Sequence, residues 1–161
     1  MAASVWTAVM VCLGCAGGGG GSSSSSTAPS SSGGGATPAA IAGTWTGTAT
    51  DSTGPGTVTW TITQNGSAFT GTVTLADSGT SAKGRGTVSG TINGSSISFT
   101  MTIPAGGFDP PFASCTANIS GTALAIAPSD GAPPTSIAAT YSGSGSCSGA
   151  INGGQFTLTK S

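Results

Sequence analysis

The chain has 161 residues, with three cationic side chains, four aspartates, no histidine and no glutamate. So few titratable groups exclude most acid–base or nucleophilic machinery, and no basic stripe exists to displace counterions from nucleic acid. The expected molecule is not an enzyme, needs no cofactor or metal, and is stabilised by apolar burial and backbone pairing. Asp51, Asp77, Asp109 and Asp130 each sit beside serine, proline or glycine, as turn-forming aspartates do.

Along the chain, residues 5–13 form an apolar run interrupted by Thr7, too short to span a bilayer and suited to the core of a signal peptide. It closes on Cys12-Leu13-Gly14-Cys15, which resembles the lipobox of bacterial lipoproteins. That resemblance implies a signal peptide at 1–14, lipidation of Cys15 and a membrane partner through the lipid; a plain cleaved signal peptide is the competing reading. Residues 17–35 are almost wholly glycine and serine and cannot bury enough surface to fold. The expected tether, 15–40, would hold the domain on the order of 25 to 30 Å from its anchor.

Residues 41–161 carry a period-2 alternation of threonine or serine with apolar residues, broken eight times by turn residues. The expected strands are 44–50, 57–64, 69–75, 87–92, 97–103, 115–124, 137–142 and 155–160. Asn65-Gly66 and Asn93-Gly94 mark tight hairpins because both residue types tolerate positive φ. With no helical segment between strands, the pattern predicts an all-β, eight-stranded antiparallel up-and-down barrel, with an open sheet or two-sheet sandwich as the alternative. The outward threonines, such as Thr57, Thr59, Thr61 and Thr63, fit β propensity and solubility.

In such a meander the connections 51–56, 76–86, 104–114 and 143–154 share one end. Long loops on one rim of a rigid scaffold are where binding usually resides. That rim gathers Asp51, Asp77, Lys83, Arg85, Phe108, Asp109 and Phe112, of which the two phenylalanines need burial or a partner. Cys115 and Cys147 fall at the same rim, where antiparallel pairing brings them together as a disulfide; without histidine they make a poor metal site.

Gly43-Thr44-Trp45 opening an eight-stranded meander resembles the lipocalin and avidin-like barrels. The resemblance implies that Trp45 sits at the closed end with a late basic residue, Lys160, packed over it. Gly43-Thr44-Trp45-Thr46-Gly47 together with Gly153-Gly154-Gln155-Phe156-Thr157-Leu158-Thr159 also resembles short threonine-rich bacterial lipoproteins. That likeness implies a cell-envelope location, on the outer membrane or at the cell surface. The interior expected to meet a small apolar ligand is Trp60, Phe99, Met101 and Tyr141, with Gly47, Gly71, Gly90 and Gly121 leaving space. Two functions remain open: a binding module for such a ligand, or a domain that presents its rim to an envelope protein, as an inhibitor or assembly factor.

Overall fold

The computed structural model describes residues 36–79, 82–129 and 131–161. The expected signal peptide, Cys15, the tether up to residue 35, and Asp130 lie outside the described residues. Eight strands follow in chain order: β1 (Gly43–Asp51), β2 (Gly54–Asn65), β3 (Ala68–Asp77), β4 (Lys83–Asn93), β5 (Ser96–Ile103), β6 (Ala117–Ile126), β7 (Ser136–Gly145) and β8 (Gly149–Lys160). Each pairs antiparallel with its neighbour in sequence, and β1 also pairs with β8, closing an up-and-down barrel. Closure leaves no unpaired sheet edge, which the open sheet and the sandwich would have had.

The alternation is what sets the register. Thr44, Thr61, Thr72, Thr87 and Thr102 lie opposite one another from β1 to β5 as one row across the wall. A one-residue slip would turn every apolar residue outward, so the buried face holds the pairing in place. Inside, Trp45, Trp60, Phe69, Ile97, Met101, Ile103, Ile137 and Leu158 are fully buried.

The inward glycines do not leave ligand space, contrary to the sequence expectation. A Cβ on Gly47, Gly71, Gly90 or Gly121 would overlap a carbonyl oxygen of the adjoining strand, and at Gly90 and Gly121 it would also meet the rings of Phe69 and Phe99. These are points of close backbone approach, where a strand bends to follow a narrow barrel. The aromatic rings occupy the room that the missing side chains provide.

Most strands run longer than those read off the sequence. β2 already starts at Gly54, β4 at Lys83 and β8 at Gly149, β7 continues to Gly145, and β6 alone begins later, at Ala117. Residues 143–154 are rich in glycine and serine, so the apolar period fades although Ile151 is buried opposite Gly143. The expected long loops at 51–56 and 143–154 are therefore tight hairpins, with only residues 52–53 and 146–148 between their strands.

The opposite end is shut by the segment before β1. Ile41 is fully buried, and its carbonyl accepts a bond from the Trp45 indole N–H at 2.7 Å. The Gln64 side chain accepts from the Ile41 amide at 2.7 Å and donates to the carbonyls of Ala39 and Gly66. Ala39, expected in the tether, packs against the core and donates its amide to Gly94. Lys160 Nζ stands 5.4 Å from the centre of the Trp45 ring.

Candidate binding site

The end opposite this plug carries a pocket of about 580 Å³ that enters the barrel. Its inner surface includes Met101, Tyr141 and Phe156 together with the smaller Ala49, Val58, Ala117, Ile119 and Ile151. Small residues at this level and large ones below explain why the interior is hollow only at the top. Eight strands enclose a space that side chains either fill or leave for one small ligand, and here residue size changes along the axis.

Beneath the pocket the aromatic residues close up. Trp60 meets Phe99 edge-on at 5.1 Å and Phe156 edge-on at 5.0 Å, while Phe99 and Phe156 are 5.5 Å apart. Such contacts contribute about 0.5–1.5 kcal/mol each beyond area burial. The Trp60 indole N–H is satisfied by Met101 Sδ at 3.2 Å. Of the four interior residues expected to meet a ligand, Met101 and Tyr141 line the pocket. Trp60 and Phe99 do not; their size packs them into the layer below, where they form the floor's support.

Tyr141 owes its position to a bulge. Tyr141 lies opposite Gly154 and Gly143 opposite Ile151, so β8 spends Asn152 and Gly153 where β7 spends only Ser142. Gly153 takes φ +62°, the left-handed conformation that such a bulge requires. The Tyr141 ring then lies flat over Gly154, where any Cβ would overlap it. From there the hydroxyl donates to Asp51 Oδ2 at 2.7 Å.

Asp51 performs two tasks. Its Oδ1 accepts from the amide and hydroxyl of Thr53, which shapes the β1–β2 turn in the way expected of a turn aspartate. Its Oδ2 holds the tyrosine, a task no local pattern announces, because the two residues are 90 positions apart and β8 runs between their strands. Burial, followed by the hydrogen bond and the negative charge of Asp51, pushes the Tyr141 phenol well above the usual tyrosine range. It therefore stays neutral and keeps donating.

No family model, curated protein or solved structure matches the chain.

The mouth is built by two connections. The β5–β6 loop folds back on the start of β4: the Arg85 amide donates to Gly107, the Asp109 amide donates to Lys83, and Gly84 pairs with Phe108. Phe108 is thereby half-buried on Gly84 and, with Phe112, forms part of the pocket wall. Lys83, Arg85 and Asp109, expected on the rim, are not part of that wall. Arg85 and Asp109 form an exposed ion pair at 3.2 Å, of the kind that contributes under about 1 kcal/mol.

Across the mouth, Cys115 and Cys147 are joined by a disulfide with Cα atoms 5.6 Å apart. Ser146 reinforces it, since its amide donates to the Thr116 carbonyl and its Oγ accepts from the Thr116 amide, both at 2.9 Å. The described residues contain no cluster of three or more metal-ligating side chains.

Proposed function

We propose that this protein is an exported, lipid-anchored binding module that takes up a small apolar ligand at the open end of a lipocalin-like barrel, without catalysis. The observation that carries the reading is the pocket of about 580 Å³, apolar inside and framed by a disulfide-braced mouth. Pockets of this size, mainly apolar with a few placed polar groups, are where small molecules bind. The Tyr141–Asp51 pair supplies such polar groups.

The lipoprotein part of the reading rests on Cys15 and the glycine–serine stretch that follows it. A rim that recruits an envelope protein is supported less well. Its two aromatic residues, Phe108 and Phe112, are partly buried in the pocket wall rather than displayed.

The test is a titration of the purified protein with the neutral, environment-sensitive dye Nile red, beside Ala117→Phe. Ala117 lines the pocket, and a phenyl group there would occupy it. Saturable fluorescence enhancement that the variant loses, while its thermal unfolding stays cooperative, supports the reading. Absence of enhancement in the unmodified protein, or equal enhancement in both, would refute it.

A further inference from the structure

We infer that the pocket discriminates by charge, and accepts amphiphiles that carry a positive head group while rejecting fatty-acid carboxylates. The inference rests on the proposed binding role of the same pocket and names the class of its ligand. Its basis is charge complementarity at the mouth. Among the described residues that line the pocket, the charged side chains are Asp51 and Asp77, and none is a lysine or arginine.

The cations of the chain lie outside the pocket lining. Lys160 lies over Trp45 at the closed end, Arg85 pairs with Asp109, and Lys83 stands exposed on the β4 wall. A carboxylate head would therefore meet two like charges and no cationic partner. An ammonium head would meet two opposite charges, while its alkyl chain lies against Met101, Ile119 and Phe156.

The Tyr141 hydroxyl sharpens the arrangement. It spends its proton on Asp51, which leaves its oxygen lone pairs as further acceptors for an N–H donor. The polar groups of the pocket are thus matched to a ligand that donates. A site that loses such partners or opposes a like charge discriminates strongly between otherwise similar ligands.

The experiment compares decylamine, decanol and decanoate, three probes of one chain length, by titration calorimetry at neutral pH. An alkylamine is protonated there, as lysine is. Decylamine is expected to bind at least about tenfold more tightly than decanoate, with decanol between them. Asp51→Asn keeps an acceptor for Thr53 and removes one of the two charges; it should narrow the decylamine advantage over decanol several-fold. Decanoate binding as tightly as decylamine, or a decylamine advantage unchanged in the variant, overturns the charge inference and leaves the binding role standing. If none of the three binds, the binding role falls and the charge inference falls with it. The comparison on the unmodified protein decides the matter even if the variant fails to fold.

Discussion

Tyr141 is the one tyrosine of the chain, so its ionisation can be followed directly by phenolate absorbance. Its folded-state pKa is raised by burial and by Asp51, so the native state holds the phenolic proton more firmly than the unfolded chain does. The stabilisation this brings is complete below the unfolded value of about 10, and is lost as pH rises above it toward the folded value. Between neutral pH and about 9, Tyr141 should add no pH dependence to stability. Above about 10 the unmodified protein should lose stability with rising pH more steeply than Tyr141→Phe, and phenolate should appear together with unfolding. Phenolate appearing near the ordinary tyrosine range in still-folded protein would remove the Asp51 hydrogen bond from the account. Tyr141→Phe itself should cost about 1.5–3 kcal/mol in chemical denaturation, the range of a hydrogen bond to a charged group.

At the scale of the strand, the bulge in β8 links an unremarkable Gly-Gly pair to the chemistry of the pocket. Gly153 supplies the left-handed residue and Gly154 the flat seat for the Tyr141 ring. Gly154→Ala should displace the ring, weaken its bond to Asp51 and bring phenolate formation back toward the ordinary range, which the same absorbance titration reads. An unchanged titration would mean the ring is held from elsewhere. This is also where legibility in the sequence runs out. Alternation such as Phe99-Thr100-Met101-Thr102-Ile103 reports one face directly, so strand number and order followed from it, while closure rested on the need to leave no exposed edge. The disulfide was legible because Cys115 and Cys147 stand beside strands that must pair. The bulge, the Tyr141–Asp51 contact and the Gln64 latch on Ile41 were not, since each depends on register and on residues brought together across the closed barrel. Interior glycines misled for a related reason: absence of a side chain reads as space, whereas a neighbouring strand or ring had moved into it.

Over the whole molecule the two ends of the barrel divide the work. One is plugged by Ile41, Trp45 and the overlying Lys160, while the other is left hollow by small residues and held open by a covalent brace. With almost no ion pairs to draw on, the brace is a large single contribution to a chain of this size. Cys115 and Cys147 are 32 positions apart, and closing a loop of that length restricts the unfolded chain by roughly 3 to 4 kcal/mol. The barrel's hydrogen-bonded ladder does not depend on it, since β6 pairs with β7 from Ala117↔Gly145 to Ile126↔Ser136. Replacing both cysteines by alanine should therefore leave the β-sheet circular dichroism unchanged while lowering the denaturant midpoint. The slope of the transition should rise, because the freed chain exposes more surface when it unfolds. A midpoint that does not move would show that the mouth is held by Ser146 and Thr116 alone. Loss of the folded spectrum would show instead that the closed barrel cannot hold its wall without the bond across its rim.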